Sequence, residues 1–124
     1  MAAVLMINLA PEKRNLLQVL SIRLNFACRE VLPSEQYCVI SDLLSGPARI
    51  PSAGKPFRDE MLVMDGFDHE SLNFLLNEMI RTGNAIPLKA VTTLTNIRWT
   101  VAMLHRQLET ENREMKSRSR GDLV

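Results

Sequence analysis

Several residue types are scarce in this sequence, and each shortage excludes a class of protein. Only two of the 124 residues are cysteine and 5% are aromatic, so we expect neither a disulfide scaffold nor a stacking platform for single-stranded nucleic acid. No apolar run approaches the roughly 20 residues of a membrane span. The formal net charge of +1 gives no global attraction to nucleic acid or to an acidic membrane. Neither a membrane nor nucleic acid is therefore an expected partner.

Motifs that dictate a reaction are also missing. Cys28 and Cys38 have no histidine paired with them in the sequence, so metal-ligand spacing and a two-cysteine redox motif are both absent. There is no glycine-rich phosphate loop and no nucleophile next to a base. We therefore expect no cofactor, no metal ion and no enzymatic activity. The N-terminus lacks the basic region of a signal peptide, which together with the cysteine content predicts a cytoplasmic location.

Hydrophobic periodicity and turn residues predict the order strand, helix, strand, helix twice over. The predicted strands lie at residues 4–9, 26–32, 60–66 and 86–92. The predicted helices run over 11–25, from Pro33 to Gly46, from Asp68 to Gly83, and from Thr95 or Asn96 past Met115. At 124 residues we expect one domain, with pseudo-repeated halves 1–45 and 60–116 joined by a loop at 46–59.

This order of elements predicts an α+β fold built from two βαβ units. We favour a four-stranded, ferredoxin-like sheet with the helices packed on one face. A small doubly wound α/β sheet is the alternative, because the segment from Pro33 to Arg58 is too long for a hairpin and contains a helix. Residues 46–58 are rich in glycine and proline, so they should form the most mobile internal segment.

The segment from Leu88 to Thr100 concentrates polar side chains where a strand gives way to a helix. Open α/β sheets place ligand sites at such turns, and free N–H groups at a helix start attract anions. Two cations bracket the turn, and the only tryptophan offers an apolar wall. We therefore predict a small anion or carboxylate site formed by Lys89, Thr93, Thr95, Asn96, Arg98 and Trp99.

Structural roles compete with this interpretation of the turn. Thr93, Thr95 and Asn96 are residue types that cap helices. Trp99 is also the kind of residue that fills a core, and Lys89 suits a strand at the edge of a sheet, where its ammonium group reaches solvent. The same segment thus allows a capped turn without a ligand.

A binding or regulatory module is the function that the sequence favours, and two alternatives stay open. One is an enzyme whose catalytic groups come from separated segments, namely Asp65, Lys89 and Asn96. The other is an RNA-associated module that uses Lys89, Arg98 and the basic tail from Arg113 to Arg120. A small anionic ligand or a protein partner is expected for the binding module. A deep pocket that holds Lys89 beside a carboxylate would favour the enzyme, and a shallow apolar patch would favour a partner surface.

Residues 61–111 resemble a bacterial family of domains of unknown function. Its members carry a strand ending in Gly-Phe, a helix with an acidic cap, the string Lys-Ala-Val-x-Thr-x-Thr-Asn-x-x-Trp-Thr and an acidic last helix. The matching residues here are Gly66, Phe67, Lys89, Ala90, Val91, Thr93, Thr95, Asn96, Trp99 and Thr100. Leu94 stands where the family often has proline. The resemblance implies a shared fold and a shared site, but no activity.

The last predicted helix carries a narrow apolar seam. Ile97, Val101, Leu104 and Leu108 recur at helical spacing, so they should pack on the sheet or on a second copy of the chain. Polarity rises beyond Leu108, which predicts that the last turns project from the domain. A homodimer through the C-terminal helix is therefore an expected assembly.

Overall fold

The computed structural model describes the backbone of residues 1–46 and 54–122 and the side chains of residues 1–46 and 54–115. The strands are β1 (Ala2–Ile7), β2 (Phe26–Val31), β3 (Met61–Asp65) and β4 (Leu88–Val91). The helices are α1 (Pro11–Leu24), α2 (Ile40–Ser45), α3 (His69–Arg81) and α4 (Val101–Asp122). None of the described helices is both long enough and apolar enough to cross a membrane. Residues 47–53, on which much of the predicted mobile loop falls, lie outside the described residues.

The four strands form one mixed sheet in the order β2-β1-β3-β4. β1 runs parallel to β2 and β3 runs parallel to β4, so each βαβ unit contributes a neighbouring pair of strands. The two pairs meet in the middle of the sheet, where β1 and β3 are antiparallel and Leu5 lies opposite Val63. The predicted α+β fold with a four-stranded sheet is confirmed. A ferredoxin-like arrangement is compatible with these elements but is not confirmed.

Helices cover both faces of the sheet, which corrects the prediction that they lie on one face. The central strands are apolar from Val4 to Ile7 and from Met61 to Met64, and all of these side chains are buried. Because side chains alternate along a strand, such continuous burial requires cover on both sides. α1 and α3 provide it on what we call the first face, and α2 and α4 provide it on the second face.

The apolar seam of the last helix packs on the second face of the sheet. Val101 and Leu104 are buried there beside β1, β3 and α2, and Ile97 and Leu108 pack partly buried against the same cluster. These four side chains therefore pack against the chain's own core. The homodimer through the C-terminal helix stays a prediction, and it would have to use a different face of α4.

The second and fourth helices begin later than predicted. The predicted start at Pro33 is a 3-10 turn, and α2 begins only at Ile40. The predicted start at Thr95 or Asn96 is likewise a 3-10 turn, and α4 begins only at Val101. In each half of the chain, the segment predicted as one helix forms a short 3-10 turn followed by a separate α-helix.

A pairing between the two halves explains this interruption. Val39 and Thr100 form an isolated antiparallel bridge between the turns and the helices. Two backbone hydrogen bonds flank it, from the Ile40 N–H to the Trp99 carbonyl at 2.9 Å and from the Val101 N–H to the Cys38 carbonyl at 3.2 Å. Extended backbone cannot at the same time be helical, so the bridge delays the start of both helices.

α3 begins at the predicted capping residue. Asp68 Oδ1 accepts the Ser71 N–H at 2.7 Å, and Asp68 Oδ2 accepts the Ser71 hydroxyl at 3.1 Å. These donors favour the ionised form of the carboxyl, so they hold the pKa of Asp68 below its ordinary value. Phe67 and Leu72, on either side of the cap, both pack against the first face.

The Asp68 cap should make stability depend on pH. A carboxyl whose pKa is lower in the folded chain stabilises the fold above its unfolded pKa, and this contribution is lost as the pH falls through the folded pKa. Asp68→Ala is therefore expected to lower the midpoint of thermal unfolding at neutral pH, and its deficit should shrink in acid. Asp68→Asn keeps a capping oxygen and should lose less at neutral pH. An equal deficit of Asp68→Ala in neutral and acidic solution would contradict the assignment.

Candidate functional site

The predicted anion-binding turn is closed by its own side chains. Asn96 is buried, and its Oδ1 accepts the Thr93 N–H at 2.8 Å while its Nδ2 donates to the Val91 carbonyl at 3.1 Å. The Thr93 hydroxyl accepts the Asn96 N–H in return, at 3.0 Å. Thr95 is exposed and makes no capping bond with its side chain. Thr93 and Asn96 therefore stabilise this turn by reciprocal hydrogen bonds of the kind that Asx and ST turns use.

The start of α4 uses its N–H groups within the chain. Three donors are paired there: Val101 N–H with the Cys38 carbonyl at 3.2 Å, Ala102 N–H with the Gln36 carbonyl at 2.8 Å, and Met103 N–H with the Thr100 hydroxyl at 3.1 Å. An anion at this helix start would have to displace these protein acceptors. The geometry at α4 thus favours capping over ligand binding.

Two members of the predicted site lie on opposite faces of the sheet. Leu88 and Ala90 of β4 pack on the second face, so the intervening Lys89 points to the first face. Its Nζ donates to a backbone carbonyl at 3.1 Å. Trp99 is partly buried against the second-face cluster, and Arg98 is exposed. The structure does not bring Lys89 and Trp99 together, and a ligand site at this turn stays a prediction.

The groups of the alternative enzyme site are also separated. Asp65 follows Val63 at two-residue spacing and so lies on the side of the second face, opposite to Lys89. Asp65 Oδ1 accepts the Thr92 hydroxyl at 2.5 Å, and Asn96 is engaged in the turn described above. Lys89 lines a small cavity on the first face with Met79 and Ile86, and Asp65 does not line that cavity.

A different group of side chains, centred on His105 of α4, forms the most chemically capable site of the described residues. His105 is 8% exposed, and its Nε2 lies 2.8 Å from Asp59 Oδ2. Its Nδ1 lies 3.9 Å from Glu109 Oε2, one helical turn further along α4. The Phe57 ring stacks on the imidazole with 3.8 Å between centroids and 6° between planes. We call Asp59, His105 and Glu109 the His105 centre.

Two side-chain amides, one half-buried and one fully buried, hold the segment that carries Phe57 and Asp59. Asn8 Nδ2 donates to the Phe57 carbonyl at 2.8 Å and to the Asp59 carbonyl at 3.1 Å. Gln36, which is fully buried, accepts the Phe57 N–H at 2.9 Å and donates to the Phe57 carbonyl at 3.2 Å. The Gln36 backbone carbonyl also accepts a hydrogen bond from the Ala102 N–H, in the first turn of α4. The same residue thus fixes both sides of the His105 centre.

Clefts of opposite character open on the two sides of the His105 centre. The acidic cleft, of about 340 Å³, is lined by Asp59, Glu60, Pro87, Leu88, Glu109, Asn112 and Arg113. The basic cleft, of about 370 Å³, is lined by Tyr37, Lys55, Phe57, Thr100, Ala102, Met103, His105, Arg106 and Glu109. Glu109 belongs to both clefts, so the His105 centre is the wall between them.

The carboxylates of the acidic cleft differ in how strongly they are engaged. Burial raises the pKa of Glu60, but hydrogen bonds from the Lys13 ammonium at 2.5 Å and the Ala10 N–H at 2.8 Å outweigh it and lower that pKa overall. Glu60 is therefore an ionised structural link to α1. Asp59 and Glu109 are the carboxylates that face His105.

The sequence pattern missed the His105 centre because its parts are far apart along the chain. Asp59 stands 46 positions before His105, so no local spacing connects them. The available signal was the pair His105 and Glu109, whose four-residue separation places both side chains on one face of a helix. A histidine without a nearby cysteine or second histidine gave no reason to select it.

Comparison with known families gives one match and no activity. Residues 60–115 match the family described as "Domain of unknown function (DUF3783)". That segment covers less than half of the chain and includes His105 and Glu109, and it begins one residue after Asp59. Neither a curated protein nor a solved structure matches the chain significantly. A family of unknown function is thus supported over this segment, whereas bacterial origin and the predicted motif stay predictions.

Proposed function

We propose that the protein is a binding module and that the basic cleft binds a small anion carrying a carboxylate or phosphate group. The observation that carries this proposal is the placement of Lys55 and Arg106 on one cleft beside His105. The ligand class is the one predicted from the sequence, but the cations are different. They come from the loop before β3 and from α4, not from the turn at residues 89–99.

Charge supports the choice of an anion. Among the described residues, neither Lys55 nor Arg106 has an acidic side chain within ion-pair distance. Glu109, a carboxylate that lines this cleft, is itself paired with Arg113. Two cations without counter-ions on one concavity attract a small anion more strongly than isolated surface charges do, because the concave walls concentrate the field.

The shape of the basic cleft suits a small ligand. Phe57 and Met103 provide apolar surface, and Tyr37 forms a wall whose hydroxyl donates to the Lys55 carbonyl at 2.9 Å. The Tyr37 ring lies directly over Gly54, where a side chain would collide with it. This packing fixes the backbone that presents Lys55. The basic cleft has a volume of about 370 Å³, which is at the small end of the range for metabolite sites.

Titration calorimetry with phosphate and with small dicarboxylates tests the proposal. Lys55→Ala and Arg106→Ala are each expected to weaken binding about tenfold or more, since a hydrogen bond to a charged group contributes about 1.5–3 kcal/mol. Trp99, next to the cleft residue Thr100, gives a second readout through its emission. The ionic strength is the same in all titrations, because dissolved salt screens exposed charges and so weakens their attraction to an anion.

Lys89→Ala and Arg98→Ala are the matched controls, because each removes one positive charge outside the basic cleft. They should bind the anion as the native protein does. Loss of binding in these two variants, with Lys55→Ala and Arg106→Ala unaffected, would move the site to the turn at residues 89–99. Absence of saturable binding by any of the anions would contradict an anion-binding function.

A further inference from the structure

We infer that the His105 centre binds a divalent transition-metal ion of the Zn²⁺ class. One imidazole nitrogen of His105 and one carboxylate oxygen each of Asp59 and Glu109 all lie within 4.8 Å of one another. A tetrahedral ion about 2.1 Å from its ligands holds neighbouring ligand atoms roughly 3.4 Å apart. Because Asp59 faces Nε2 of His105 and Glu109 faces Nδ1, metal binding requires one of the two carboxylates to turn towards the nitrogen that the other approaches. This site does not depend on the anion proposed for the basic cleft.

The donor set selects the class of metal. Imidazole suits Zn²⁺ and its first-row neighbours, whereas Ca²⁺ and Mg²⁺ prefer an all-oxygen shell. The two carboxylates balance the charge of a divalent ion. Three protein ligands leave a fourth position for water or an exchangeable ligand, and Asp59 and Glu109 both line the acidic cleft through which it would enter.

The surroundings of the three side chains already restrict their positions. Asn8 binds the Asp59 carbonyl, and Phe57 stacks on the His105 ring. Arg113 forms an ion pair with Glu109 Oε1, which leaves Oε2 turned towards the imidazole. Such outer contacts orient the first ligands of a metal and keep the reorganisation on binding small.

A hydrogen-bonded pair of His105 and Asp59, with Glu109 as a nearby charge, is the competing explanation of the same contacts. The 2.8 Å separation between His105 Nε2 and Asp59 Oδ2 is that of a direct hydrogen bond. In that case the hydrogen bond between His105 and Asp59 links α4 to the loop before β3. The carboxylates would then contribute nothing to metal affinity. The two explanations differ in what isosteric amides do: they can still hydrogen-bond, but they are poor ligands for Zn²⁺.

The test uses the full chain, freed of metal with a chelator and titrated with Zn²⁺ by calorimetry. We expect one equivalent to bind. Asp59→Asn and Glu109→Gln should each weaken binding by about tenfold or more. These substitutions are preferred over changes to buried His105 because the Asp59 and Glu109 side chains are 62% and 38% exposed, so the variants should fold. Co²⁺ in place of Zn²⁺ should give the visible absorption of a four-coordinate ion with nitrogen and oxygen ligands.

Three controls separate this site from other ligands in the chain. Glu111→Gln changes an exposed carboxylate on the same helix, His69→Gln removes the other histidine, and Cys28→Ser removes a half-buried thiol. Each should bind Zn²⁺ within about twofold of the native protein. Unchanged binding in both Asp59→Asn and Glu109→Gln, or no saturable binding at all, would overturn the inference. Lys55→Ala and Arg106→Ala should keep Zn²⁺ affinity, so failure of the anion proposal would be seen separately.

Discussion

Replacement of Leu104 by alanine is expected to lower the free energy of unfolding by about 2–5 kcal/mol, the usual cost of deleting a leucine from a core. Leu104 is 2% exposed and belongs to the apolar cluster on the second face of the sheet. The loss combines the transfer of the side chain to water with the cavity that remains. Denaturant unfolding followed by circular dichroism measures it.

Met103 provides the matched control for this substitution. It is the preceding residue on α4 and is 53% exposed, so Met103→Ala should change stability by no more than about 0.5 kcal/mol. An effect of Leu104→Ala as small as this would show that α4 does not pack on the sheet through Leu104. Equal, large effects of both would point to a second copy of the chain covering Met103.

Gln36→Leu should be the most damaging change of a polar residue. The fully buried amide of Gln36 pairs with both the N–H and the carbonyl of Phe57. Leucine would leave the Phe57 N–H without its partner, whereas the Phe57 carbonyl would keep the hydrogen bond from Asn8. One unpaired backbone N–H that is removed from water costs about 1–3 kcal/mol. Thermal or denaturant unfolding would show this loss, and the same substitution at exposed Gln18 on α1 should have little effect.

The Gln36 variant should also disturb the His105 centre. Because Gln36 positions Phe57, its loss should release the stacking on His105 and shift the imidazole signals in NMR spectra. A Gln36→Leu protein of native stability with unchanged His105 signals would show that Asn8 alone fixes the loop. Loss of stability without a change at His105 would confine the role of Gln36 to packing.

The sheet could be predicted from local patterns, whereas the starts of two helices could not. The runs Val4–Ile7 and Met61–Met64 are apolar without interruption, which marks strands buried on both faces. The same runs held the information that helices cover both faces, which the ferredoxin-like prediction did not use. The bridge between Val39 and Thr100 depends on residues far apart in sequence, so no local pattern could place it.

The candidate site shows the same division between local and long-range information. Asn96 closes its own turn, a role that follows from the chemistry of its side chain, whereas its part in a ligand site stays a prediction. His105 became notable only when folding brought Asp59 to its ring. Sequence reasoning favoured residues 88–100 because polar side chains are frequent there. Side chains that are close together in the sequence need not meet in the folded chain.

The strand order also determines how the protein avoids aggregation. The two inner strands, β1 and β3, are apolar from Val4 to Ile7 and from Met61 to Met64, and each of them pairs with a neighbouring strand on both sides. The outer strands β2 and β4 each leave one row of backbone donors and acceptors open, and they carry the exposed charges Glu30 and Lys89. A charged outer strand resists pairing with the sheet of another molecule. We therefore expect Lys89 to oppose self-association through β4 at high protein concentration.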